Sequence, residues 1–177
     1  MDEGTNGAIA QSPAARLIKY KRRTLTRRGV LWLGQKCNLR CYFCYFHDRV
    51  KDPNHPENAF LTLDKLKQSC HTLRYFDGND SIDIQGGEPT IHPDIYELIR
   101  YCREIGLIPS LITNAQVLGN PGVAKKFKDA GIYDFLVSVH GIGAAYDEAV
   151  RSKGAYNRVL KGIEALTDAG ITFRMNC

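Results

Sequence analysis

The sequence lacks any apolar run long enough to span a lipid bilayer. Its longest apolar stretches, such as Phe135–Val139, have the length of a strand, whereas a transmembrane helix needs about 20 apolar residues. The first residues, Met1 to Pro13, are mostly small and polar, without the apolar stretch of a signal peptide. These absences predict a cytoplasmic protein that has no membrane partner.

The composition is also free of the biases that mark disordered, collagen-like or coiled-coil chains. Apolar residues make up 44% of the 177 residues and charged residues 24%, close to the average for globular proteins. A chain of this length and apolar content can bury a hydrophobic core of its own. We therefore expect one main globular domain.

Basic residues outnumber acidic ones, and part of the net charge of +5 comes from one segment, Arg16–Arg28. Such a cluster could attract nucleic acid or an acidic electron donor, or it could be a solvated lead-in to the first strand. We favour the lead-in, so nucleic acid is not an expected partner. The predicted organisation is a basic N-terminal lead-in at 1–28 and a core domain at 29–177.

Short apolar segments alternate with amphipathic segments from Gly29 onward. The apolar segments show little polar alternation, which is typical of strands buried on both faces. The predicted strands are Val30–Gly34, Ser81–Gln85, Pro109–Thr113, Phe135–His140 and Thr172–Asn176. The predicted helices start after Thr62, at Pro93, at Asn120-Pro121 and at Tyr156, and the last three stop before Gly106, Gly131 and Gly170. A repeated β-then-α chain predicts the α/β class, with a parallel sheet and right-handed crossovers.

Three of the six cysteines, Cys37, Cys41 and Cys44, crowd into the loop after the first predicted strand. Their Cys-x3-Cys-x2-Cys spacing can hold three corners of a four-iron cluster, because thiolates are the standard ligands of iron–sulfur centres. Three protein ligands leave one iron open to a small molecule, as a catalytic cluster requires. The loop also lies where parallel α/β folds carry their chemistry, at the carboxyl end of a strand.

Zinc is the main alternative metal, because His47 follows Cys44 by three positions and would complete a Cys3His site. Structural zinc sites usually split their ligands into two separated pairs and stabilise folds that lack a core, which does not fit this chain. Cys70 and Cys102 lie in predicted helices, and we expect them to pack as small buried apolar residues.

A second motif, Gln85-Gly-Gly-Glu-Pro89, ends the second predicted strand. Its two glycines let the backbone approach a ligand closely, and Glu88 offers an acceptor for a cationic ammonium group. A tight turn between a strand and a helix, with an exposed acid, is the structural alternative. The position of the motif at the next strand end after the cysteine loop favours ligand binding.

Together these motifs resemble the radical S-adenosylmethionine (SAM) enzymes, from about Gly29 to Cys177. The resemblance implies a partial (β/α)6 TIM-like barrel in which SAM binds the open iron of a 4Fe-4S cluster. It implies reductive cleavage of SAM to a 5′-deoxyadenosyl radical, which abstracts a hydrogen atom from an unknown substrate. Reduced flavodoxin or ferredoxin is the implied electron donor. Within the superfamily, the chain is similar to molybdenum-cofactor cyclases and peptide-maturation enzymes.

The resemblance also implies SAM contacts by position. Phe43 matches the aromatic residue beside the adenine, and Ser138 resembles the serine that bonds the ribose. Arg151 looks like an arginine that pairs with the SAM carboxylate, with a solvated arginine as the alternative. His140 faces the substrate side or is a structural histidine, and no catalytic residue is assigned. The full implied set for SAM is Phe43, Gln85, Gly86, Gly87, Glu88, Pro89, Asn114, Ser138 and Arg151.

Only five strands can be counted before Cys177, whereas the resemblance implies a sixth strand and a C-terminal extension. We therefore expect a core that is incomplete at its C-terminus, with an open strand edge and an uncovered apolar face. Such a core is expected to be poorly soluble or dependent on a partner. The alternative function is an inactive fragment that only binds an iron–sulfur cluster or zinc.

Overall fold

The computed structural model describes residues 27–46, 52, 54–55 and 58–177. Most of the predicted lead-in at 1–28 and the alternative zinc ligand His47 therefore lie outside the described residues.

Parallel strands form a single sheet in which each strand pairs with its neighbour in the sequence. The strands are β1 (Arg28–Trp32), β2 (Ser81–Gln85), β3 (Ile108–Thr113), β4 (Asp134–Ser138) and β5 (Thr172–Asn176). Consecutive order with parallel pairing is the arrangement of a barrel wall, because a doubly wound sheet reverses its strand order at a switch point. The predicted α/β class and parallel sheet are confirmed.

Helices connect the strands, most of them near the predicted positions. They are α1 (Leu63–His71), α2 (Ile95–Glu104), α3 (Val123–Ala130), α4 (Ala144–Ala149) and α5 (Ala155–Asp168), with a π-helical turn at Thr72–Phe76 and a 3-10 turn at Pro89–Ile91. Gly131 ends α3 with a left-handed φ of 91°, as its position after the helix predicted. Of the described helices, none has the length and apolar character needed to cross a membrane.

The core lies between the sheet and the helical layer. Ile82, Leu111 and Phe135 project from three neighbouring strands and are fully buried. Phe127 of α3 packs edge-on against Phe135, with ring centroids 5.3 Å apart, and also contacts the Tyr96 ring. Branched and aromatic side chains on the strands are therefore covered by one face of each helix, as strands buried on both faces require.

The two helical cysteines pack in this core. Cys70 of α1 and Cys102 of α2 are both fully buried, and their sulfur atoms lie 3.6 Å apart. The contact with the Cys70 sulfur raises the pKa of the Cys102 thiol, and burial raises it further. The prediction that they act as small apolar residues is confirmed by this burial.

At one edge of the described sheet, β5 leaves apolar surface uncovered. Met175 is 61% exposed, and four of the five β5 residues are exposed. Arg174 of this strand pairs with the buried Asp134 of β4 at 3.0 Å. The expected open edge is therefore present in the described part of the chain.

The Phe127 side chain provides a direct test of this core. Phe127→Ala should lower the free energy of unfolding by about 3–5 kcal/mol, because it removes a fully buried ring and leaves a cavity. Urea unfolding of the metal-free protein measures the change. Phe76→Ala is the matched control, since Phe76 is 69% exposed and its removal should cost under about 1 kcal/mol. Equal losses for the two variants would contradict the described core.

Candidate functional site

A cavity of about 190 Å³ lies at the carboxyl ends of the strands, where the cysteine loop and the Gly-Gly-Glu turn meet. Most of the predicted site residues line it, namely Cys37, Cys41, Phe43, Cys44, Gln85, Gly86, Gly87, Glu88, Asn114 and Ser138. A larger depression of about 560 Å³ between α3 and α5 contains none of the predicted site residues. Motifs that are about 40 residues apart in the sequence therefore face the same space.

Two of the residues predicted to contact SAM, Pro89 and Arg151, do not line this cavity. Pro89 is buried and begins the 3-10 turn that follows the motif, where a proline fits because no helical N–H is needed. Arg151 is exposed, has a φ of 53°, and is not among the residues that line the cavity.

Backbone hydrogen bonds hold the cysteine loop on the protein. The N–H groups of Arg40 and Tyr42 donate to the carbonyls of Val150 and Ala149 at 3.3 and 3.1 Å. These carbonyls belong to the end of α4, so this short helix forms a support for the loop.

Two further backbone N–H groups point at sulfur atoms. Leu39 N lies 3.5 Å from Cys37 Sγ, and Phe46 N lies 3.4 Å from Cys44 Sγ. Such donors stabilise negative charge on sulfur, and they are a usual feature of iron–sulfur sites. The loop is therefore suited to holding thiolates.

In the metal-free protein the thiols of Cys37 and Cys41 hold their protons strongly. Burial raises the pKa of Cys37 to about 12 and that of Cys41 to about 11. Both groups are therefore neutral at pH 7, and a metal that binds them must displace their protons. A bound cation would supply the charge that makes this loss favourable.

Within the described ranges, no three His, Cys, Asp or Glu side chains are grouped so that they could hold one metal ion. The three cysteines nevertheless line one cavity. Three thiolates that face one cavity fit a multi-iron cluster, in which each iron takes its own thiolate.

The cysteine loop packs so closely against the second motif that its two glycines leave no room for side chains. Gly87 N donates to the Gly34 carbonyl and Glu88 N donates to the Lys36 carbonyl, both at 2.9 Å. A Cβ atom on Gly87 would lie 2.2 Å from the Lys36 oxygen, and one on Gly86 would lie 2.4 Å from the Gly34 oxygen. In the structure, these glycines let two protein backbones approach each other closely.

The buried Glu88 carboxylate accepts hydrogen bonds from neighbouring protein groups. It is 1% exposed, and its Oε1 accepts hydrogen bonds from Thr90 N, Thr90 Oγ1 and Thr113 Oγ1 at 3.0, 2.5 and 2.6 Å. Its Oε2 accepts from Asn114 N at 2.8 Å. Burial raises the pKa of Glu88, and the four hydrogen bonds oppose that rise. The carboxylate therefore joins the ends of β2 and β3, and it is not the exposed acid of the structural alternative.

His140 forms one wall of the cavity with Phe43. Their rings meet edge-on, with centroids 4.5 Å apart. Burial lowers the pKa of His140, so its imidazole is neutral at pH 7. Both residues line the cavity.

Sequence reasoning missed several apolar residues of the site. Leu39, Tyr146 and Val150 line the cavity and are almost fully buried. The last two lie in or next to α4, which is only six residues long and follows Gly143. Its apolar pattern is too short to give a helical signal.

Comparison with known proteins identifies the wider relationship. Residues 33–176 match the family model described as the radical SAM superfamily. The chain is 31% identical over 169 residues to an AdoMet-dependent heme synthase of Methanosarcina barkeri, covering 95% of this chain and 44% of the relative. It is 30% identical over 140 residues to a probable GTP 3',8-cyclase of Saccharolobus islandicus, covering 78% of this chain and 43% of the relative. The chain thus spans less than half the length of these relatives.

A solved structure shares the fold. Streptococcus suis SuiB bound to the precursor peptide SuiA matches with a TM-score of 0.68 and 21% identity, over 92% of this chain and 35% of that one. This likeness confirms the predicted partial TIM-like barrel.

The close contact between the Gly-Gly turn and the cysteine loop predicts that one added methyl group at Gly87 strongly destabilises the fold. Gly87→Ala should lower the free energy of unfolding by about 3 kcal/mol, because the new Cβ meets backbone oxygens that cannot rotate away. Gly122→Ala is the control, since Gly122 has a φ of 75° but nothing within 4 Å, and should cost about 1 kcal/mol. Chemical denaturation measures both. A Gly87→Ala variant as stable as the control would show that the two backbones do not pack as described.

The raised pKa values predict slow alkylation of the site thiols. In the metal-free protein, iodoacetamide should modify the exposed Cys177 before Cys37 and Cys41. The rates at Cys37 and Cys41 should rise about tenfold per pH unit from pH 7 to 10, because the reactive thiolate fraction grows until the pH reaches the pKa. Peptide mass spectrometry follows each site. A rate that levels off below pH 9 would contradict the burial of these thiols.

Proposed function

The chain belongs to the radical SAM superfamily, and we propose that it is the core of an enzyme that binds a 4Fe-4S cluster and SAM in this cavity. The observation that supports the proposal is the shared lining of the cavity by three cysteines and the Gly-Gly-Glu turn. Three thiolates leave one iron without a protein ligand. The turn lines the same cavity and would receive an amino-acid ligand of that iron.

Cys37, Cys41 and Cys44 are the proposed cluster ligands. Their thiols line one cavity, and two of them receive backbone N–H donors. When bound, the cluster supplies the electron that cleaves SAM to the radical that abstracts hydrogen from substrate. Leu39 and Tyr146, which are almost fully buried, line the same cavity and would shield part of the cluster from water.

The Gly-Gly turn is proposed to hold the ammonium group of SAM through carbonyl oxygens. The N–H groups of Gly87 and Glu88 already donate to the cysteine loop. No donor within the described residues engages the carbonyl oxygens of Gly86 and Gly87. Carbonyl oxygens are good acceptors for a cation, so they suit this role better than the internally bonded Glu88 carboxylate.

Other lining residues are proposed to hold the rest of SAM. The Phe43 ring, supported edge-on by His140, offers a flat surface for adenine. Gln85 and Ser138 lie at the ends of β2 and β4 and line the same cavity, where their polar groups can bond the ribose or the methionine part. Reduced flavodoxin or ferredoxin is the proposed electron donor, because the chemistry consumes one electron for each cleavage.

Anaerobic reconstitution with iron and sulfide tests the proposal. The reduced wild-type protein should give a 4Fe-4S electron paramagnetic resonance signal that changes shape when SAM is added. Cys37→Ala, Cys41→Ala and Cys44→Ala should each lose most of the bound iron, since each removes one of only three thiolates. Cys177→Ala is the control, because this exposed cysteine lies outside the cavity lining.

Two results would contradict the proposal. One is stoichiometric zinc in the anaerobically purified protein that iron does not replace. The other is a cluster signal that SAM leaves unchanged, which would favour an inert metal-binding module.

A further inference from the structure

The Asn114 side chain is fully engaged by protein atoms. Its Nδ2 donates to Asn38 Oδ1 at 2.7 Å and lies 3.9 Å from Cys37 Sγ, within reach of an N–H···S contact. Its Oδ1 accepts a hydrogen bond from Gln116 N at 3.0 Å. A carboxamide has two N–H donors and one oxygen, so each of its polar atoms already has a protein partner.

The contacts of Asn114 continue into the helical layer. Gln116, which is 7% exposed, accepts from Arg158 Nε of α5 at 2.8 Å and donates to the Ala155 carbonyl at 3.1 Å. The Asn114 backbone N–H also donates to Glu88 Oε2. A continuous series of hydrogen bonds therefore links the start of α5 to the cysteine loop.

We propose that Asn114 is a positioning residue that fixes the Asn38–Cys37 corner of the cysteine loop and donates to the Cys37 sulfur. This role differs from the SAM contact that its position at the strand end implied, because its donors point to the loop. The role of Asn114 in fixing the loop is supported by its hydrogen bonds alone. Its donation to the Cys37 sulfur matters only if the proposed cluster binds, because N–H groups that bond to ligand sulfur raise the reduction potential of a cluster.

The role of Asn114 in holding the cysteine loop is tested in the metal-free protein. Asn114→Ala should speed hydrogen exchange of the Arg40 and Tyr42 amides about tenfold, because losing two hydrogen bonds loosens the loop that they anchor. Asn38→Ala should have a similar effect, since it removes the 2.7 Å contact. Asn157→Ala, on the exposed face of α5, is the control and should leave exchange unchanged. Unchanged exchange in Asn114→Ala would overturn the positioning role.

The donation from Asn114 to the Cys37 sulfur is tested after the cluster has been reconstituted. Asn114→Ala should shift the cluster potential to a more negative value in a redox titration, because a donor to sulfur is lost. Asn38→Ala should leave the potential near the wild-type value, because the Asn114 N–H remains. The dissociation constant of SAM should change less than about threefold in either variant. If Asn114→Ala bound SAM more weakly while the cluster potential stayed unchanged, the inference would be overturned. Asn114 would then be a SAM contact, as its position at the strand end implied.

The two proposals fail in different ways. If the wild-type chain bound no iron–sulfur cluster, the proposed function would fail and the sulfur donor with it. The exchange rates of Arg40 and Tyr42 would still decide whether Asn114 fixes the loop.

Discussion

The site depends on the contact between two backbones, the Gly-Gly turn after β2 and the cysteine loop after β1. Two hydrogen bonds, Gly87 N to Gly34 O and Glu88 N to Lys36 O, continue the pairing of the two strands beyond their ends. Side chains at Gly86 or Gly87 would push the segments apart. The glycines therefore allow the cysteine loop and the turn to meet at one cavity.

Glu88 shows how a buried charge can serve this arrangement. Removing a carboxylate from water is costly unless hydrogen bonds replace the lost hydration. Four donors from Thr90, Thr113 and Asn114 provide that replacement, and they come from the elements that must stay in register. Through Asn114 the same network reaches Asn38 beside Cys37, so the carboxylate and the cysteine loop are held by a shared set of contacts.

The sequence was sufficient to predict the parallel sheet and the meeting of the two motifs at one edge of it. Apolar strands at regular spacing predict a parallel sheet, and parallel strands bring their carboxyl ends to one edge. The internal bonds of Glu88 and Asn114 were not predictable, because they join residues that only the folded sheet brings together. β1 ends at Trp32, two residues earlier than predicted, because Gly34 leaves the sheet at a φ of 111° to bridge Phe60. Short apolar patterns, as in α4, do not identify a helix.

In the proposed site, the cysteine loop leaves one iron open for the amino group of SAM. Electron–nuclear double resonance on the reduced, reconstituted protein, with SAM labelled with 15N at its amino group, detects whether this group bonds to the cluster. The expected result is a nitrogen coupling strong enough for direct bonding of the amino group to the cluster. A cluster signal without any 15N coupling, in protein shown to bind SAM, would contradict it.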